Sequence, residues 1–133
     1  MSNDVIFRHR PAATTATKGF VAEARAEKFL RSKGLQTSDK NYRCKSGEID
    51  LIMRDGDTLV FVEVRLRSNR RFETAAESVN FRKQLKIINA AQHYLLEKRL
   101  TDKLPCRFDV VAISNEIDNE HEFEWITDAF GTN

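Results

Sequence analysis

Two strand-like runs, Glu48 to Arg54 and Thr58 to Arg67, flank Asp55-Gly56-Asp57. Turn residues between two alternating runs specify an antiparallel hairpin, and the loop length then fixes every cross-strand pair. On the second run Val60, Val62, Val64 and Leu66 share one face, with Leu59, Phe61, Glu63, Arg65 and Arg67 on the other. On the first, Ile49, Leu51 and Met53 share a face opposite Glu48, Asp50 and Ile52. If Asp55 pairs with Thr58 across Gly56-Asp57, the same register brings Asp50 directly opposite Glu63. Cross-strand Cβ atoms lie about 4.5–5.5 Å apart, so both carboxylates could share one cation. A loop one residue longer would separate them.

The surrounding elements extend this hairpin into a sheet. Gln36 to Arg43, joined through Lys45-Ser46-Gly47, reads as a preceding antiparallel strand. Ahead of it, from about Lys18, Ala22, Ala26, Phe29 and Leu30 form the apolar stripe of a helix that Gly34 terminates. Residues 1–17 offer no face to bury and read as a loose tail, leaving 18–133 as one domain. Thr74 and Glu77 have the spacing of a capping box for a second helix. Its stripe would be Phe81, Leu85, Ile88 and Leu95, widened by Ile87, Ala91 and Tyr94, ending near Lys98. Arg107 to Ile113 is apolar enough for a strand covered on both faces, and a final strand is expected near His121 to Thr127. The fold class is therefore α/β: three antiparallel strands, then one or two more, in a mixed sheet flanked by helices.

A chain of 133 residues holds one core. No apolar run exceeds Leu59–Val62 or Val110–Ile113. A membrane span of about 20 residues and a secretory leader are therefore not expected, and a cytoplasmic address is the default. Cys44 and Cys106 lack metal-ligand spacing, which argues against zinc and a disulfide framework and for burial as small hydrophobes.

The net charge of +2 conceals a segregation. Residues 1–113 carry 22 basic and 14 acidic side chains, whereas the remainder carries six acids and no Lys or Arg. This layout permits a local anion-binding face; a solvated acidic edge is the plainer alternative. A bare Asp50–Glu63 pair is costly, so a cation or Arg65 must compensate. Hard oxygen donors suit Mg²⁺ or Mn²⁺, and Mg²⁺ leaves positions for phosphate oxygens. The competing reading is two surface salt bridges to neighbouring arginines. Glu23 lies at the margin of the first helix's apolar stripe and could lean over the sheet, with Glu27 further toward solvent. Arg65, Arg67, Arg70, Arg71, Arg82, Lys83 and Lys86 face only Glu73 and Glu77 in the same stretch, and Arg82, Lys86 and His93 follow one side of the second helix. A phosphate backbone could rest there in a salt-dependent, sequence-indifferent way.

Several segments together carry a resemblance. They are Gly19-Phe20-Val21-Ala22-Glu23 with Ala26, Asn41-Tyr42-Arg43, Gly47-Glu48-Ile49-Asp50-Leu51-Ile52, Val60-Phe61-Val62-Glu63-Val64-Arg65 with Arg67, Lys83, Arg107-Phe108-Asp109-Val110-Val111 and Asp128-Ala129-Phe130. They resemble the YraN family of bacterial proteins, which in turn is similar to the PD-(D/E)XK nuclease superfamily and in particular to archaeal-type Holliday junction resolvases. The resemblance implies a restriction-endonuclease-like core in which Glu23, Asp50 and Glu63 converge on Mg²⁺ or Mn²⁺. It also implies a lysine where this chain has Arg65, and a helix glycine where it has Ala22. Arginine stays protonated and can hold a phosphate but cannot act as a general base. Activation of water would then fall to the cation or to Lys83.

The implied function is metal-dependent hydrolysis of DNA phosphodiester bonds, with branched DNA as one substrate. A nucleic-acid-binding module that has lost turnover is the alternative, and a protein-interaction domain using the acidic segment is a third. DNA is the expected partner, no membrane is expected, and a homodimer is left open.

Overall fold

The Gly56-Asp57 turn sets the register as the residue pattern requires: Asp55 pairs with Thr58, Arg54 with Leu59, Met53 with Val60, Ile52 with Phe61 and Leu51 with Val62. The computed structural model describes residues 15–67, 77–114 and 122–131. In chain order the elements are α1 (Thr15–Ser32), β1 (Gln36–Cys44), β2 (Gly47–Asp55), β3 (Thr58–Arg67), α2 (Phe81–Glu97), β4 (Cys106–Ser114) and β5 (Phe123–Phe130). The strands form one five-stranded sheet in the order β1-β2-β3-β4-β5. All neighbours are antiparallel except β3 and β4, whose parallel pairing requires the crossover that contains α2. The architecture is the mixed α/β sheet with helical flanks that the sequence implied.

Each sheet face has its own core. Leu51, Met53, Val60, Val62, Val111 and Ile113 pack with Ala22, Ala26 and Leu30 of α1. Ile52, Leu59, Phe61, Phe108 and Val110 pack with Ile87, Ile88, Ala91 and Tyr94 of α2. Strand β4 lies between the helices and is buried without interruption from Phe108 to Ser114.

Helix α1 starts at Thr15, ahead of the expected Lys18, while residues 1–14 of the expected tail lie outside the described residues. It ends in a Schellman motif. Leu35 N–H donates to Leu30 O at 3.1 Å, Gly34 N–H donates to Arg31 O at 3.0 Å, and Gly34 takes a φ of +101°. The buried Leu35 then aims the chain into β1.

Several expectations are corrected. Thr74 lies outside the described residues and Glu77 falls in a turn; α2 begins at Phe81 behind Asn80, whose Oδ1 accepts from Lys83 N–H at 2.9 Å. An Asn side chain is among the best N-caps, and burial of Val79 just before it anchors the entry. Phe81 and Leu85 do not join the core stripe; they are 71% and 44% exposed. The helix instead buries Ile87, Ile88, Ala90, Ala91 and Tyr94, because its first turn extends past the sheet's apolar centre. His93 does not simply face solvent: its Nδ1 lies 2.6 Å from Tyr42 Oη, which donates to Glu97 at 2.8 Å, so this side of α2 rests on β1. Cys44 is half-buried and Cys106 exposed. The last strand runs from Phe123 to Phe130, displaced toward the C-terminus relative to expectation.

That displacement has a buried anchor. Asp109 is fully buried and accepts from Arg107 Nε at 3.0 and 3.2 Å, Trp125 Nε1 at 3.0 Å and Asp128 N–H at 2.9 Å. These bonds hold β5 against β4 where their register shifts between Phe108 and Val110, and Asp128 adopts a φ of +53° to meet the carboxylate. Asp109→Ala strands three donors, and breaking a buried pair of this kind costs about 3–5 kcal/mol. Urea titration followed by Trp125 fluorescence should show that loss; a change below about 1 kcal/mol would mean that the network adds nothing net.

Candidate active site

The site forms where β2 stops following β3. The regular pairing of the two strands ends at Leu51–Val62, one residue short of Asp50 and Glu63. In place of a ladder carbonyl, the Asp50 carboxylate accepts the Val64 N–H through Oδ2 at 2.8 Å. The alternation of β2 breaks at the same point. Ile49 joins the α2-side core with Ile52, whereas Leu51 and Met53 join the α1 side, so Ile49 does not share their face as strict alternation required. Opposite Asp50 on β1, Asn41 adopts a φ of +53°, a left-handed conformation that asparagine tolerates better than most residues.

Gly47, at the start of β2, shows why the strand can lean this way. Its φ is +156°, and a Cβ there would stand 3.0 Å from Lys86 O and 3.2 Å from Lys86 Cβ. The hairpin tip can reach α2 only without a side chain at that position.

The three acids are positioned by different elements. Glu63 follows Phe61 on the α2-facing side of β3 and is only 4% exposed. Burial foremost, then repulsion from Asp50, pushes its carboxyl up to about 8, against the opposing pull of Lys83 and Arg65. Lys83 Nζ lies 3.8 Å and Arg65 Nη1 3.5 Å from Glu63 Oε2. Glu23 reaches over from α1. Burial and then the charge of Asp50 raise it to about 7, and its Oε1 is buried with no hydrogen-bond partner. Asp50 is thus the common member: each glutamate is shifted by it. Among the described residues no group of three or more His, Cys, Asp or Glu side chains is disposed to hold a metal ion as the side chains stand. The acids form a row centred on Asp50.

Other expected site residues divide between the site and its surroundings. Arg82 and Lys86 are exposed on the first turns of α2, beside Lys83. Arg67 closes β3, and Arg70 and Arg71 lie outside the described residues. Glu27 does not turn to solvent: it accepts from Thr37 Oγ1 at 2.7 Å and pairs with Lys40 at 3.5 Å, which fixes α1 to β1. Glu122 of the acidic segment pairs with Arg25, and Glu116, Asp118 and Glu120 lie outside the described residues. Two residues quoted for the resemblance but given no site role, Phe20 and Asn41, line a cleft beside Glu23; an exposed aromatic one helical turn from a site acid and an asparagine across from Asp50 were the available signals.

The pattern of the uncharacterised protein family UPF0102 matches residues 22–113, which contain Glu23, Asp50 and Glu63. The chain belongs to the UPF0102 family. This is the family to which the YraN resemblance pointed. The chain is 51% identical to a UPF0102 protein of Nitrosomonas eutropha over 89% of this chain and 97% of that one. It is 52% identical to a UPF0102 protein of Nitrosospira multiformis over 90% and 98%. A UPF0102 protein of Hahella chejuensis is 51% identical over 84% and 88%. Among the described residues no helix is long and apolar enough to cross a membrane.

The carboxyl shifts make stability depend on pH with a definite sign. Glu23 and Glu63 hold their protons more tightly in the folded chain than in the unfolded one. Their contribution is therefore full below about 4.5 and is lost as pH rises through about 7 and 8. Tyr42, raised to about 12 by burial and by its bond to Glu97, titrates outside that window. In the presence of a chelator the urea midpoint should fall between pH 6 and 8.5, and Glu63→Gln should flatten that fall while raising stability at the alkaline end. Parallel profiles for the two proteins would show that Glu63 carries no such strain.

Proposed function

We propose that this chain is a divalent-cation-dependent endonuclease-like protein that hydrolyses phosphodiester bonds in DNA. The observation that carries this reading is the approach of Glu23 and Glu63 to Asp50 at the point where β2 parts from β3, with Arg65 and Lys83 on Glu63. Carboxylates that repel one another, with Glu63 buried and Glu23 and Asp50 half-buried, are poorly compensated by protein alone, and one buried oxygen, Glu23 Oε1, has no partner. This donor set fits a hard cation such as Mg²⁺ or Mn²⁺. Mg²⁺ commonly takes only one or two protein carboxylates and fills its remaining positions with water and phosphate oxygens, so a row of acids suffices. Asp50 and Glu63 would hold it, and Glu23 would ligate it or orient a water.

When bound, such a cation neutralises charge on the transferring phosphoryl oxygens and makes water a better nucleophile. The chain's own residues supply position and counter-charge. Arg65, half-exposed at the rim, would take the scissile phosphate through its planar guanidinium. Lys83 stands at the same carboxylate although it comes from α2, near where the resemblance leads one to expect a β3 lysine. Arg82 and Lys86 extend the positive face along the helix for the flanking backbone.

One observation favours a second reading, a binding module without turnover: the position expected for lysine carries Arg65, whose guanidinium pairs with Glu63.

Incubation with branched, duplex and single-stranded DNA, with and without Mg²⁺ or Mn²⁺, separates the two. The enzyme reading expects cation-dependent cleavage that falls to background in Asp50→Ala, falls in Lys83→Ala, and persists or rises in Arg65→Lys. Salt-sensitive binding without cleavage by either wild type or Arg65→Lys would select the module, and neither binding nor cleavage would reject both.

A further inference from the structure

Beside the acids, between α1 and β1, lies a cleft of about 230 Å³ lined by Phe20, Glu23, Glu27, Lys40, Asn41 and Leu51. We propose that it receives one unpaired nucleobase, that of the nucleotide next to the phosphate held at the carboxylates; this inference rests on the nuclease reading. Its volume is below the roughly 300 Å³ of pockets that house drug-sized ligands, and suits a single flat ring system. Leu51 supplies an apolar, buried wall. At the rim Phe20 leaves 58% of its surface in water although it sits on the helix that carries Ala22 and Ala26 into the core. An aromatic face so exposed is a stacking platform, tolerant of base identity.

The charges of the cleft argue for a base over a phosphate. Lys40 is neutralised by Glu27 at 3.5 Å, so an anion would give up its hydration there without gaining an uncompensated cation. A neutral ring enters without that cost. Carboxylate and amide oxygens along the wall, those of Glu27 and Asn41, accept hydrogen bonds. An exocyclic amino group is the matching donor, present on cytosine and adenine and missing from thymine. Asn41 lends its amide from the backbone kink that faces Asp50.

A base enters at least cost from a single strand, a flap or a splayed junction arm, since extrusion from a duplex costs unstacking and unpairing, so the cleft favours DNA with unpaired nucleotides at the site.

The test uses the full chain and fluorescence anisotropy, with Ca²⁺ as the cation, on labelled oligo-dC, oligo-dA, oligo-dT and a blunt duplex. Phe20→Ala should weaken binding of oligo-dC at least about fivefold, with the duplex changed less than about twofold. Phe20→Trp should restore it. Asn41→Gly, which keeps the backbone permissive, should reduce the preference for dC and dA over dT. Wild-type single-strand affinity in Phe20→Ala would overturn the base site while leaving the nuclease reading in place. A Phe20→Ala change in sedimenting mass without a change in binding would also overturn it, marking the rim as a contact between copies. Absence of nucleic-acid binding by wild type in every form would sink the nuclease reading, and this inference with it.

Discussion

The bond from Val64 N–H to the Asp50 carboxylate decides the shape of this protein's candidate site. A sheet interior satisfies its backbone donors with backbone acceptors, and a donor left bare there costs about 1–3 kcal/mol. By supplying that acceptor from a side chain, Asp50 lets β2 diverge from β3 without stranding the amide. The opening then lies at the carboxyl end of β3, where β3 and β4 run parallel and α2 begins. The same carboxylate that makes the gap possible also charges it.

That charge is the second constraint. Glu63 is buried between a repelling aspartate and two attracting cations, and the outcome is a carboxyl that retains its proton well above the ordinary range. Lys83 and Arg65 thus compensate only part of the cost. A core built for stability alone would replace such a group by an apolar one, since a buried charged cluster is often neutral or unfavourable against a hydrophobic substitute. The cation proposed above would supply the compensation that Lys83 and Arg65 leave incomplete. Asp109 provides the internal contrast. It is more deeply buried than Glu63, yet its carboxylate accepts from Arg107, Trp125 and the Asp128 amide, so it is satisfied and structural.

How much of this was legible in the sequence follows the range of the forces involved. The hairpin register could be read because a two-residue turn is a local device whose consequences propagate rigidly, and so Asp50 and Glu63 could be brought together on paper. That β4 is covered on both faces was legible from Val110-Val111-Ala112-Ile113, which leaves no face for water. What strict alternation concealed was the kink. Ile49 changes face because Asn41 and Asp50 distort adjacent strands together, and neither distortion follows from the pattern of one strand. Phe81 and Leu85 show a different limit: helical periodicity marks an apolar side but not where the sheet beneath it ends. Asp109 was visible only as an acid in an apolar strand, since its partners at 125 and 128 arrive by pairing of β5.

The arginine at 65 is best understood with the lysine at 83. Both cations touch one oxygen of Glu63, from β3 and from α2 respectively, so the positive charge near the acids is divided between a strand and a helix. A guanidinium on the strand cannot give up its proton, but it can hold two oxygens of a phosphate in a fixed plane. An ammonium on α2 is a point charge on a flexible stem, and it enters the site from a helix whose first residues are solvent-exposed. If cleavage occurs, orientation of the phosphate therefore belongs to the rigid element and adjustment of charge to the movable one. This division would make the geometry of substrate capture depend on β3, which the five-stranded sheet fixes, while the electrostatics of turnover depend on how α2 docks against Gly47 at the hairpin tip.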